Sequence, residues 1–429
     1  MVLAAVTLVA GCDRERPLEG ERLDPRALSR LGPVETPANR ALPVALPAQV
    51  NHGGWTHRGG GPTHTIAHPA LSAPLRPLWS VEIGQGEDRR FRITADPVVA
   101  DGRVFTLDAR AGVAATGADG TVLWRRDLRP DWAGRGAASG GGLAVEGGRL
   151  FVTSGYGTLV ALDAASGAEL WSKRFDAPVT APPAVRGGRV FVVSTDSVGW
   201  ALEADTGKIL WQRAAAPSPA GMVGGAAPAV TEARVFLPFP SGDVMALTPD
   251  TGIEMWRTRI AGRRLGSANA LVSDISGDPV VVGGTVFVGN RSGRVVALDT
   301  ASGAERWSAR DGAFGPVWPV GDSLFLISDL GELVRIAAAT GERIWSVPLP
   351  RYLDTRERRR AEVVAHYGPV LAGGRLIVAS NDGLIRSFDP VSGAELEQVD
   401  IPRGATTQPV VVNGVLYVVA RDGRLHAFR

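Results

Sequence analysis

The chain has 429 residues and a single cysteine, Cys12. One thiol removes three options at once: an internal disulfide, a structural zinc site built on cysteines, and a Cys-x-x-Cys-His haem attachment. Lysine is almost as scarce, occurring only at Lys173 and Lys208, so the basic residues are nearly all arginine. They are scattered along the chain and leave a formal charge of only +2. No positive stripe forms, which removes the electrostatic footprint that nucleic-acid binding requires. After the first ten residues no stretch approaches the roughly 20 apolar residues needed to span a bilayer. Also missing are a Gly-x-Ser-x-Gly elbow, a His-Glu-x-x-His helix, a phosphate loop and an EF-hand Ca²⁺ loop. The chain therefore offers no recognisable catalytic constellation and no cofactor or metal site.

Glycine and proline are plentiful, at 54 and 30 residues. Without a Gly-x-y period, that many turn formers suit short strands joined by tight turns and argue against helix. A length of 429 residues would suggest several domains unless a repeat explains it. A repeat is present as a Gly-x-x-x-Trp unit: Gly120 and Trp124, Gly167 and Trp171, Gly207 and Trp211, Gly252 and Trp256, Gly303 and Trp307, Gly341 and Trp345. Gly393 keeps the pattern but leads to Glu397 where tryptophan is expected. Upstream of each glycine lie an alternating apolar stretch, such as Arg149 to Ser154, and an Ala-Leu-Asp-type strand, such as Val160 to Asp163. In Asp163-Ala-Ala-Ser166-Gly167 the glycine supplies positive φ and the Asp and Ser side chains bond the turn backbone. The tryptophan that follows has a broad apolar face and an N–H needing a partner, so it predicts a peg between neighbouring units.

The fourth-strand positions are Trp79, Trp124, Trp171, Trp211, Trp256, Trp307, Trp345 and Glu397, a total of eight. Their spacing of about 45 residues is the period of a propeller blade. The chain ends on three strands (408–412, 415–420 and 424–428), whereas 75–83 is a lone fourth strand near the start. Pairing them closes the ring and removes the free sheet edges. The expected fold is an all-β, eight-bladed β-propeller of four-stranded antiparallel blades over residues 71–429.

Met1 to Ala10 is apolar and ends in Val9-Ala10-Gly11-Cys12, which resembles a bacterial lipobox. Residues 1–11 then read as a lipoprotein signal peptide, short and without a basic start, as a truncated signal would be. Cys12 is the lipidation site. Asp13 resembles the inner-membrane retention signal of enterobacteria, which weakens an outer-membrane address. Residues 13–48 are rich in Pro, Arg and Glu without hydrophobic period and read as an extended tether. His52, His57, His64 and His68 follow among glycines. No Cys or carboxylate interleaves them at ligand spacing, so a polar loop lying on the propeller is favoured over a metal site.

Propeller function sits on loops held by the rigid ring. The longest inter-blade insertions are 129–140, 214–225, 263–277 and 351–366. The last carries Arg356, Arg358, Arg359 and Arg360 and reads as a solvated basic face.

The recurring Ala-Leu-Asp-x-x-Ser/Thr-Gly-x-x-x-Trp resembles the repeat of quinoprotein alcohol dehydrogenases and of the outer-membrane assembly lipoproteins of the BamB family. Dehydrogenases of that kind carry an adjacent cysteine pair, a Ca²⁺ site and an Asp base, whereas this chain has no second cysteine and its recurrent Asp163, Asp299 and Asp389 occupy turns. With the lipobox and tether, the resemblance to BamB implies a non-catalytic lipoprotein on the periplasmic face of the outer membrane. It would act as a monomer within the β-barrel assembly complex and bind the periplasmic POTRA region of the barrel-insertion subunit BamA. A family contact segment, Ser-Asp-Val-Asp-x-x-Pro-Val-Val, is matched by Ser273 to Val281. That match implies partner contacts at Asp274, Ile275 and Ser276, the last replacing an acidic residue. A second family stretch, Leu-Arg-Gly, aligns with Met222-Val223-Gly224 and loses its arginine. Two other readings stay open: a propeller that binds another periplasmic protein, glycan or ligand, and a degenerate quinoprotein that keeps its cofactor.

The lipobox makes the first test. In cells, Cys12→Ser is expected to lose a palmitate label and become soluble in the periplasm, because stable attachment needs more than one acyl chain. An unlabelled wild type would remove the anchor.

Overall fold

A computed structural model describes residues 38–133, 138–218, 224–260, 274–354, 356 and 360–429. The elements in these residues are 32 β-strands arranged as eight four-stranded antiparallel sheets. Seven sheets are simple meanders in chain order, spanning 98–127, 141–174, 184–214, 229–259, 280–309, 318–348 and 366–400 (blades 1 to 7). Blade 8 joins Val410–Val412, Val415–Val419 and Arg424–Phe428 to Pro77–Glu82 from the other end of the chain. In that seam Trp79 lies opposite Ala427 and Val81 opposite Leu425. The ring is thus an eight-bladed propeller closed by its N-terminal strand, as the repeat count predicts.

Strand burial follows from the blade packing. The second and third strands of a blade, such as Arg149–Ser154 and Thr158–Asp163, are covered on both faces by neighbouring blades and bury nearly every side chain. The outer strand Glu169–Arg174 keeps one exposed edge, and its residues alternate between exposed and half-buried. The turn between the third and fourth strands is built as its sequence dictates. Asp163 Oδ1 accepts the Ser166 N–H at 2.8 Å and the Ser166 hydroxyl at 2.6 Å, and Gly167 takes φ 70°.

Each tryptophan docks on the next blade's version of this turn. Its Nε1–H donates to a turn carbonyl: Trp79 to Ala118, Trp124 to Ala164, Trp171 to Ala204, Trp211 to Pro249, Trp256 to Thr300, Trp307 to Ala338 and Trp345 to Pro390, all between 2.8 and 3.3 Å. The indole lies flat on the turn glycine, so a Cβ added at any of the seven would come within 2.4 to 3.0 Å of the ring. Inside its own blade each tryptophan leans on an aromatic residue of the second strand, with centroids 5.8 to 6.0 Å apart, as in Phe151 with Trp171 and Tyr417 with Trp79.

Glu397 is the exception, and the seam explains it. The turn that blade 7 should dock on does not exist, because blade 8 passes from Arg429 to Arg76 through hydrogen bonds (2.7 and 2.8 Å) instead of a covalent turn. With no turn glycine to cover, Glu397 instead accepts the Leu75 N–H at 2.9 Å.

Residues 38–75 lie against the ring as a strap. Asn39 brackets Ser346 with two 2.9 Å bonds on the outer strand of blade 6. Buried Arg335 donates to the carbonyls of Leu42 and Pro43. In six blades the corresponding position, flanked by the aromatic and the tryptophan, is alanine, as at Ala161 and Ala201. The strap then reaches the axis, and it leaves over blade 7, where Arg375 donates to the Ser72 carbonyl at 2.6 Å. Residues 38–48, expected as tether, therefore belong to the folded ring. His52, His57, His64 and His68 lie in this strap, the last three buried. Among the described residues no cluster of His, Cys, Asp and Glu has metal-binding geometry.

The glycine contact sets the second prediction. Gly341 has φ 74° with the Trp307 ring 2.4 Å from a would-be Cβ, whereas Gly374 has φ 78° and nothing within 4 Å. Gly374→Ala bears only the backbone term of about 1–2 kcal/mol. Gly341→Ala must also displace the indole and should cost at least about 2 kcal/mol more. Equal urea midpoints for the two variants would contradict tryptophan-on-glycine docking.

Candidate functional site: the inter-blade loop face

A four-stranded meander sends its first and third turns to one end of the ring and its middle turn, with the connection to the next blade, to the other. The strap covers the first end near the axis, where Pro69 and His52 accept the N–H groups of Gly373 and Asn413, both at 2.9 Å. The opposite end, made of connections such as 83–97, 175–183, 310–317 and 401–409, carries no such cover among the described residues.

That open end collects arginine and aromatic side chains in pairs. Arg110 lies 4.6 Å from the Phe91 ring, Arg174 4.2 Å from Trp132, Arg291 5.2 Å from Phe314, and Arg351 and Arg360 each 5.6 Å from Tyr352. Among the described residues these are all the cation–π contacts, and every one lies in an inter-blade connection, a middle turn or the strand end beside them. Trp132 is 54 % exposed and is held edge-on by Tyr156, with centroids 6.4 Å apart. Leu330, Leu353 and Val363 add exposed apolar surface at the same end. Burial pushes the Arg291 guanidinium below its usual range, and Asp274 opposes the shift.

At the axis, Arg58 of the strap reaches through to this end. It donates to Asp96 at 3.0 Å, Asp278 at 3.4 Å and the Thr94 carbonyl at 3.0 Å. Asp96 also accepts the Gln408 N–H, and Asp278 the Ala227 N–H. Burial pushes the Asp96 carboxyl up, with Arg58 pulling the other way. Toward the rim, a cleft of about 430 Å³ opens between blades 8 and 1, lined by Asp108, Arg110, Arg125, Arg126, Asp127 and Arg129. Its carboxylates are engaged in the fold. Asp108 accepts the N–H groups of Gln85, Arg110 and Gly112, and Asp127 grips Arg129.

The segment matched to the family contact sits on the same end but largely inside it. Asp274 is 5 % exposed and Ile275 1 % exposed, the latter packed with Val281, Val286 and Val288 between blades 4 and 5. The Ser276 hydroxyl donates to the Ala313 carbonyl at 2.6 Å. Gly225 and Ala226 line one crevice with Asp274 and Ile275, so the ends of the two inter-blade loops that carry the family stretches adjoin. Met222, Val223, Arg358, Arg359 and Cys12 lie outside the described residues. Sequence reading missed the pairs at Phe91, Trp132 and Phe314 because their members are far apart in the chain, and it read the arginines around Tyr352 as a solvated basic face; Trp132, a large aromatic inside a predicted loop, was the available signal.

A ring of this kind, eight blades of tryptophan-docking repeats with one loop-bearing end, is a propeller scaffold of the quinoprotein-repeat class. Its family can be stated. The chain matches the family model described as outer membrane protein assembly factor BamB over residues 109–347 and 331–429, and it belongs to that family. It is 29 % identical over 358 residues to the outer membrane protein assembly factor BamB of Salmonella typhimurium, covering 82 % of this chain and 88 % of the relative. The crystal structure of BamB from Moraxella catarrhalis superposes with a TM-score of 0.66 at 20 % identity, over 83 % of this chain and 98 % of that one. A quinohemoprotein alcohol dehydrogenase from Comamonas testosteroni gives 0.65 at 15 % identity, over 88 % and 80 %. At those identities both likenesses show the fold alone.

Burial separates anchors from free contacts on this face. Ile275→Ala is expected to lower unfolding free energy by about 2–5 kcal/mol. Trp132→Ala should cost about 1 kcal/mol or less, since only its partial ring contacts are lost. Comparable midpoint shifts in urea would mean that Trp132 is structural.

Proposed function

We propose that this chain is a non-catalytic scaffold lipoprotein of the β-barrel assembly machinery. It is anchored through Cys12 at the periplasmic face of the outer membrane and docks the POTRA region of BamA on its inter-blade loop face. The observation that carries this reading is the gathering of arginine–aromatic pairs on the end of the ring opposite the strap. Arginine and aromatic residues are the enriched components of protein interfaces and supply most hot spots. Here they are mounted on loops of a rigid ring, which keeps the ordering cost of binding low. The names of the relatives support the assembly role. Family resemblance assigns Asp274, Ile275 and Ser276 of this face to the partner, together with Met222 and Val223, which lie outside the described residues. Ile275 contributes by fixing the segment from inside. The chain works as a monomer within the complex and needs no cofactor.

The test measures binding of a purified BamA POTRA region to the full chain by calorimetry. Trp132→Ala combined with Tyr352→Ala removes two of the loop-face aromatics and is expected to weaken binding at least tenfold, about 1.4 kcal/mol. Ile253→Asp, on an exposed turn at the strap end, should bind like wild type. Unchanged affinity of the double variant, or a loss confined to Ile253→Asp, would overturn the assignment of this face.

A further inference from the structure

The innermost strand of each blade has an unpaired edge facing the axis; residues 50–71 bond that edge in blades 1 to 5, stack on it in blade 6 and hold the turn that follows it in blades 7 and 8. In blade 1 Trp55 exchanges both backbone bonds with Val99, at 2.7 and 2.8 Å. Thr56 accepts the Val145 N–H of blade 2 at 3.0 Å, and His57 Nε2 the Val185 N–H of blade 3 at 3.0 Å. Pro62 accepts from Val230 of blade 4 at 2.7 Å and Thr63 from Val281 of blade 5 at 3.0 Å. In blade 6 the Trp55 ring stacks on Trp318, centroids 6.1 Å apart. His68 Nε2 accepts the Gly374 N–H and Pro69 the Gly373 N–H of blade 7, and His52 accepts from Asn413 of blade 8, all at 2.9 Å.

The segment is also tied to itself. Val50 donates to His68 at 2.8 Å and accepts from Ala70 at 2.9 Å, closing the stretch into a loop. Within it Thr56 and His57 exchange bonds with Gly60, and Arg58 crosses the axis to Asp96 and Asp278. A loop whose ends are joined cannot peel from one blade at a time. We infer that residues 50–71 form a single cooperative lock that couples all eight blades at the hub and that docks or releases as one unit.

Hydrogen exchange on the full chain tests this. In mild urea the amides of Val145, Val185, Val230, Val281, Gly373 and Asn413 are expected to share one opening free energy and one urea slope, below that of global unfolding. Arg58→Met should speed all six by a similar factor of about ten or more, including Gly373 and Asn413, which do not touch Arg58. Separate opening energies in wild type, or a response confined to Val281 and Ala227, would overturn the lock. The wild-type pattern decides by itself if the variant does not fold.

Acid gives an independent reading. His57 accepts the Val185 N–H, so it must be neutral when docked; burial lowers it to about 3, with His64 and Arg186 adding to the shift. His64 is also pushed down by burial, between Asp278, which opposes the shift, and Arg58, which adds to it. In the docked strap His57 and His64 thus resist protonation, whereas in a released strap they take up protons. The strap's docking is at full strength above pH of about 6.5 and weakens as pH falls toward about 3, by up to tenfold per histidine per pH unit. After correction for intrinsic exchange, all six amides should lose protection together between pH of about 6.5 and about 5. Loss at Val185 alone would contradict a cooperative unit.

Discussion

The structure depends on one repeated contact, an indole laid on a glycine turn with its N–H tied to the turn carbonyl. Both parts are needed. A buried tryptophan gains roughly 1.5–3 kcal/mol from the area it hides, but an orphaned N–H would forfeit about 1–3 kcal/mol of that. The turn supplies the acceptor, and only a residue without Cβ leaves room for the ring. Because the same turn also closes the hairpin between the third and fourth strands, the sequence that shapes each blade prepares the seat for its neighbour. Seven junctions repeat this contact. The eighth cannot, since a linear chain must break somewhere in a closed ring.

Everything unusual in the sequence gathers around that break. Glu397 replaces the tryptophan that would have no turn to sit on, and it takes the Leu75 N–H from the returning chain. Before reaching the seam the chain crosses blade 6, where Arg335 stands in a row of alanines. It then rounds the hub and leaves over blade 7 past Arg375. A guanidinium buried at 0 % exposure is costly unless its donors are satisfied, and Arg335 spends them on the Leu42 and Pro43 carbonyls and the Ser323 hydroxyl. The repeat's interior is thereby altered at one blade to hold the strap.

Blade number, closing strand and tryptophan role were legible in the sequence because they rest on local chemistry: turn residues at fixed offsets and alternation within short strands. The strap was legible only in part: the histidine stretch read as a polar loop lying on the propeller, as it is, but the segment before it did not read as structure. The strap binds mainly through its own backbone carbonyls and imidazole nitrogens, which leave no hydrophobic period, so residues 38–48 read as tether. Arg335, out of step with Ala161 and Ala201, was the trace it left elsewhere in the chain. The segment at Asp274 shows the converse problem. Apolar residues beside a charge fit an interface centre and a gap-filler between blades equally well, and only packing places Ile275 among the valines of blade 5.

These features make the two ends of the ring unequal. At the hub the channel is filled from one end by residues 50–71 and spanned by Arg58 to Asp96 and Asp278. A ligand seated on the axis would have to separate that buried charge cluster, and breaking such a pairing costs about 3–5 kcal/mol. An axial site therefore starts at a disadvantage that a contact on the loops does not face. The loop end meets the opposite condition: its arginine–aromatic pairs are already positioned by the ring, partly exposed, and able to gain buried area without giving up a structural bond. On the docking proposed above, recognition is directed outward by the same chain segment that fills the hub.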